Sequence, residues 1–345
     1  MRKRLFSIMQ YIIFLGGGLF LVWWQLKSMT AEQKTAFIAA FQHANYWLLF
    51  PVIIAILLGH VSRAMRWKLM MEPLGYDPAL KNVFAVTMIG YFANAAIPRL
   101  GEILKCTFLA RYEHLKVDKL VGTIIIERAF DFFCYLVFIC ITILIQIDLI
   151  GDYVQGKLKL IALTPGLPLW GKLLIILFVL LVILLFTKFL LKRFPENKII
   201  IKVNGFINGM MEGFRSIATL KRRKAFLLHT LFIWSMYLLE IYMGFYAMEG
   251  TAHLSIKAGF SVLSLATLAM IITPGGIGSF PIFVMETLLI YNISPTLGIA
   301  FGWLMWGIFT GIIIIAGILA LLLLPYMNKN KMHHEVSTAD PIQDT

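Results

Sequence analysis

Glu127, Arg128 and Asp131 place two carboxylates and a guanidinium within five residues of an otherwise apolar stretch. At helical spacing the carboxylates share a face at i, i+4, and Arg128 approaches Asp131 at i, i+3, so an ion pair with one acid to spare is feasible. A charge in hydrocarbon costs roughly 3 kcal/mol even on lenient insertion scales. The trio must therefore face protein or water, as a clamp between helices, as part of a substrate site, or as both. Arg63 and Arg66 stand one turn apart, followed by Trp67 and Lys68. Interfacial snorkelling is the ordinary explanation for Arg beside Trp. With Arg99 and Arg128 they also offer planar guanidinium forks suited to a phosphate.

Two short apolar segments are each broken by turn-forming residues. In the first, Asn94 precedes Pro98-Arg99-Leu100-Gly101-Glu102, after which a helix can restart. Proline stops the incoming helix, glycine permits the turn, and Glu102 sits where a helix dipole favours a carboxylate. In the second, Thr273-Pro274-Gly275-Gly276-Ile277-Gly278-Ser279 brings backbone N–H groups into the open, an arrangement suited to an anion. Unwound backbone at membrane depth is tolerated only against protein or a watery cavity, so two breaks point to a polar site of the transporter kind. Glu240 and Glu286 are the remaining acids expected to be buried.

The sequence has no G-x-x-x-x-G-K-[ST], G-x-S-x-G, H-E-x-x-H or G-x-G-x-x-G. An ATP-driven pump would need a partner's ATPase. Its three cysteines lack metal or disulfide spacing, and no metal or cofactor is expected.

The elements that must hold these groups are membrane helices. The chain is 60% hydrophobic and 14% charged with a mean hydropathy of +0.83, which excludes a soluble globule. The net charge of +13 does not form a nucleic-acid face, because the basic residues sit between apolar runs. Of the 31 Lys and Arg, 24 fall in the alternate connections 1–5, 63–81, 99–119, 188–224 and 326–345, and five in those between. By the positive-inside rule this gives spans near 5–26, 46–66, 120–147, 169–190, 225–248 and 297–325 with both termini cytoplasmic.

Residues 82–110 must then start and end inside and 258–292 outside, so the expected fold is an all-α polytopic bundle. It has about six full spans and two oppositely oriented re-entrant hairpins, arranged as an inverted repeat if the weak internal similarity is real. Residues 198–220 have the apolar spacing of an amphipathic surface helix. The expected division is a transmembrane domain over 1–327 and a disordered cytoplasmic tail over 328–345.

The ordered set Arg63-x-x-Arg66-Trp67, Asn94-x-x-x-Pro98-Arg99-x-Gly101-Glu102, Glu127-Arg128-x-x-Asp131 and Pro274-Gly275-Gly276-Ile277-Gly278 resembles the flippase-like transmembrane family. Its best-known member is the membrane domain of lysylphosphatidylglycerol synthase. The resemblance runs over roughly residues 5 to 325. It implies movement of a lipid between leaflets; aminoacyl transfer, which in that synthase belongs to a soluble domain, is not expected through Thr345. The family often carries an acid soon after its second Pro-Gly-Gly, where this chain has Phe280-Pro281 and next Glu286.

The leading expectation is a lipid transporter of the cell membrane, with no catalytic residues. It would bind an anionic or polyprenyl-linked headgroup through Arg63, Arg66, Asn94, Arg99, Glu102, Glu127, Arg128, Asp131, Pro274, Gly275, Gly276, Gly278 and Ser279. The alternatives are a membrane-embedded transferase using Glu102 and Asp131 as acid and base, and a scaffold for lipid-synthesis enzymes. A homodimer or such an enzyme is the protein partner class left open.

Overall fold

The computed structural model describes residues 16–18, 20–25, 27–97, 99–157, 171, 215 and 217–329, with the backbone alone for 147–157 and 274. The chain divides into two compact units, one of Met1–Ile124 with Leu220–Thr345 and one of Ile125–Thr219. Among the described residues every regular element is helical. The helices are α1 (Ala31–Gln42), α2 (Leu49–Met71), α3 (Leu80–Ala96), α4 (Leu100–Glu113), α5 (Val117–Lys157), α6 (Arg223–Gly244), α7 (Ile256–Ile272), α8 (Ser279–Leu289) and α9 (Pro295–Met327). From Ile125 onward α5 belongs to the second unit.

Among the described residues four helical stretches are long and apolar enough to cross a membrane: Tyr46–Leu74, Val117–Gln146, Arg223–Ala247 and Pro295–Met327. They fall on four of the six expected spans. The expected span at 169–190, most of that at 5–26, the surface helix at 198–220 and the tail from 330 lie outside the described residues.

Apart from α1, the other helices of the first unit come in pairs too short to cross. α3 and α4 have 17 and 14 residues, and α7 and α8 have 17 and 11. At 1.5 Å per residue no arm exceeds about 26 Å, against a hydrocarbon core of about 30 Å.

α2 and α6 pack antiparallel. Asn45 N–H donates to Ala247 C=O at 2.8 Å at one end, and Arg222 pairs with Glu72 at the other. Beyond that end, Lys68 pairs with exposed Asp77 at 2.9 Å and holds its carboxyl below the usual carboxylate range. Glu72 likewise raises the pKa of exposed Arg222. α3 lies against α2 and α9, and its buried Val83, Val86, Met88 and Ile89 join Trp67, Met71, Cys106, Leu109, Leu120 and Leu324 in one apolar core.

The two pairs open at opposite ends of α9. Asn328 caps its C-terminal end and is buried, exchanging two 2.9 Å amide bonds with buried Asn82 in the first turn of α3. Glu113, the last residue of α4, accepts from Asn82 Nδ2 at 2.5 Å and from Ala79 N–H at 3.1 Å. Both arms of the first pair thus end beside the C-terminus of α9. The second pair opens at the N-terminus of α9, where Gly250 packs on Leu297 and residues 290–294 join α8 to α9. Deep in the bundle, Phe92 near the tip of the first pair packs on Gly317, and Trp306 Nε1 donates to Gly275 C=O in the second break at 2.8 Å. Each tip contact is about 16 Å from the end of α9 at which its pair opens.

Candidate functional site

α3 ends at Ala96, Ile97 turns extended, and Arg99 adopts φ 68°, which reverses the chain into α4. Arg99 stands at the N-cap of α4 but makes no side-chain capping bond. Asn94 supplies it from across the turn: its Oδ1 accepts Gly101 N–H at 2.8 Å and its Nδ2 donates to Glu102 Oε1 at 3.3 Å. One amide therefore satisfies an orphan donor of the new helix and orients the carboxylate in its first turn. Gly101 is required here by close approach, since a Cβ would meet Gly90 C=O and lie 2.7 Å from the Asn94 amide carbon. Arg99 is exposed and Glu102 half-buried at this tip.

Behind the tip stand three buried cations. Arg63 Nη2 donates to Tyr237 Oη at 2.8 Å, with its guanidinium carbon 5.9 Å from the ring centroids of both Tyr237 and Tyr91. Tyr91 lies one turn before Asn94 on α3, so Arg63 adjoins the same helix face region as the first break. Arg66, fully buried, donates to Thr230 Oγ1 at 3.3 Å and lies over Phe226. Lys105 on α4 sits 3.9 Å above the indole of Trp67, whose Nε1 donates to Thr123 Oγ1 at 2.8 Å. Aromatic faces take the place of bulk water around these charges.

The second break is a 3-10 turn over Pro274–Gly276 with φ 63° at Gly275, 69° at Gly276 and 72° at Gly278. Gly278 has no alternative: besides its positive φ, a Cβ would stand 2.7 Å from Gly18 C=O. Its own carbonyl accepts from Gln25 Nε2 at 2.8 Å, and Gln25 Oε1 accepts from Trp303 Nε1 at 3.1 Å. Ser279 and Thr273 hydroxyls meet at 2.5 Å and close the turn over Ala269 C=O. Donors from other helices thus satisfy carbonyls freed by the break, the condition for irregular backbone among membrane helices.

Within the first unit, Arg63, Arg66, Asn94, Arg99 and Glu102 are arranged along α2, α3 and α4, and α3 also touches the Pro274–Gly276 turn. Pro98 and the Pro274 side chain lie outside the described residues. Glu127, Arg128 and Asp131 belong to the second unit, where Glu127 is buried, Asp131 half-buried and Arg128 exposed. Of the two further acids, Glu240 is buried between helices, with Oε1 lacking a hydrogen-bond partner among the described residues, whereas Glu286 is exposed. Among the described residues no group of three His, Cys, Asp or Glu is placed to hold a metal ion.

Sequence reasoning missed Lys105, Tyr237, Thr230, Gln25 and Trp306. Lys105 alone carried a signal, being a cation in the middle of the apolar restart helix, at i+3 from Glu102.

Comparison with known proteins adds two matches. A family model described as the lysylphosphatidylglycerol synthase TM region matches residues 8–317. A UPF0104 membrane protein from Methanocaldococcus jannaschii is 22% identical over 275 residues, covering 74% of this chain and 77% of that protein. No solved structure matches the chain.

Proposed function

Because the chain belongs to the family of the lysylphosphatidylglycerol synthase TM region, we propose that it is a multi-pass lipid flippase of the cell membrane. It moves a phospholipid or another lipid with an anionic headgroup between leaflets. One observation carries the reading: two broken hairpins open at opposite ends of α9 and reach it about 16 Å in from either end. Oppositely oriented broken helices of this kind bind substrate near the midplane, and access alternates as one repeat moves against the other.

In this reading both pairs are re-entrant and both termini are cytoplasmic, so the first pair opens inward and the second outward. Arg99 at the exposed tip meets the headgroup phosphate first, and Arg63 and Arg66 set a positive potential behind it. Asn94 holds Glu102 and the start of α4 in place while the glycines of the second break let backbone approach the headgroup. Acyl chains stay in lipid, so the protein need shelter only the headgroup.

The test is transbilayer movement of fluorescent lipids in proteoliposomes. Wild type accelerates it, and folded Arg99→Ala, Glu102→Gln and Gly276→Leu variants slow it, the last by pressing on Met270 and Phe280 beside the turn. A well-folded wild type that moves no anionic, zwitterionic or polyprenyl-linked lipid above the protein-free rate, with or without a proton gradient, overturns the reading.

A further inference from the structure

A second polar feature lies away from the buried cations, between residues 24–33 and helices α8 and α9. It is a cavity of about 260 Å³ whose polar and aromatic lining is Trp24, Gln25, Ser28, Gln33, Glu286 and Thr296, with methionine, isoleucine and proline side chains closing the rest. Most of its polar groups are committed elsewhere. Gln25 bridges Gly278 C=O and Trp303 Nε1, Ser28 Oγ donates to Gln25 C=O at 3.0 Å, and Gln33 Oε1 accepts Thr30 N–H at 2.9 Å. Glu286 is not: among the described residues it has neither a hydrogen bond nor an ion pair.

A carboxylate with spare acceptors, an indole and an apolar collar are together complementary to an organic ammonium. The charge is met by the acid, the ring face attracts the cation, and the alkyl groups on nitrogen lie against methionine and isoleucine. The same stretch of chain already pairs an ammonium with an indole, Lys27 Nζ lying 4.7 Å from the Trp23 ring centroid. That contact occupies Trp23 and not Trp24. Size sets the ligand class, because a volume just under the roughly 300–1,000 Å³ of drug-sized sites admits a small amine headgroup but not a whole lipid.

We propose that this cavity binds an organic ammonium group, with Glu286 as counter-charge and Trp24 as the ring. Gln25 belongs to both its wall and the second break, so the occupant sits one side chain away from Gly278. The site is distinct from the anion-binding reading of the breaks and does not depend on transport. Binding by a protein that moves no lipid leaves it standing.

The experiment is calorimetric titration of the full chain in nanodiscs made only of phosphatidylglycerol, with choline as probe and protein-free discs subtracted. Its neutral isostere 3,3-dimethylbutan-1-ol serves as the uncharged comparison. Saturable choline binding is expected, with none for the alcohol. Glu286→Gln weakens it at least tenfold, Trp24→Leu weakens it severalfold, and Glu249→Gln, a change outside the cavity, leaves it unchanged. Repeating the titration in phosphatidylcholine discs separates the sources: a weaker apparent affinity means that a lipid headgroup fills the site, an unchanged one that free amine does. Equal binding of choline and the alcohol, no saturable binding, or undiminished binding in Glu286→Gln with wild-type thermal unfolding overturns the proposal. If Glu286→Gln does not fold, the alcohol and Trp24→Leu decide in its place.

Discussion

Replacing Asn94 by alanine removes both bonds that tie the end of α3 to the start of α4. The acceptor lost from Gly101 N–H is a capping interaction, and such losses cost about 1 kcal/mol. The donor lost from Glu102 Oε1 is a long bond at 3.3 Å, worth about another 1 kcal/mol even though its acceptor is a carboxylate. Together they amount to about 2 kcal/mol, a change of roughly thirtyfold in the folding equilibrium and about 3 °C in thermal midpoint for a chain of this size. Asn94→Asp separates the two bonds. It keeps an acceptor for Gly101 but sets a second carboxylate against Glu102, so its loss should exceed that of alanine at neutral pH and ease on acidification. Thermal unfolding in detergent across pH 5–8 reads both variants. An unchanged midpoint in Asn94→Ala, or identical pH profiles for the two, refutes the claim that this amide organises the first break.

Gly101→Ala should destabilise by about 1–3 kcal/mol through overpacking, because its methyl meets Gly90 C=O in the backbone of the facing helix; thermal unfolding checks it, and Gly122→Ala, inside α5 where a Cβ meets nothing, is the comparison and should instead stabilise by about 0.5–1 kcal/mol. Lys68 lowers the pKa of Asp77, so their ion pair supports the fold above the ordinary Asp value of about 4 and loses that support as pH falls through the lowered one. Asp77→Asn should flatten this acid-side dependence in pH-scanned unfolding, with an effect that salt reduces because the group is exposed.

The elements around the site were legible because each has a local cause. Proline and glycine mark both breaks, and long apolar runs mark four helices. Lys81 Nζ, in one basic connection, donates to Met327 C=O at 3.5 Å in the last turn of α9, beside the Asn82 and Asn328 pair. What decides the interior of the site is pairing across great sequence distance, which no local pattern encodes. Arg63 finds Tyr237 on a helix 174 residues later, and Gln25 finds Gly278 253 residues later. Glu286 misled for a related reason: an acid in an apolar run reads as buried, yet its face of α8 lines a cavity. Asn328, which the sequence puts at the head of a polar tail, is held by an asparagine 246 residues earlier.

The account rests on two breaks lying at membrane depth and reached from opposite surfaces, which spin labels on single cysteines can measure in bilayers. Labels at Ile97 and Ile272, both exposed beside the breaks, should sit within about 10 Å of the bilayer centre, while labels at Leu74 and Leu289 should report opposite surfaces. A label at Ile97 or Ile272 found at headgroup depth, or Leu74 and Leu289 on one surface, would contradict it.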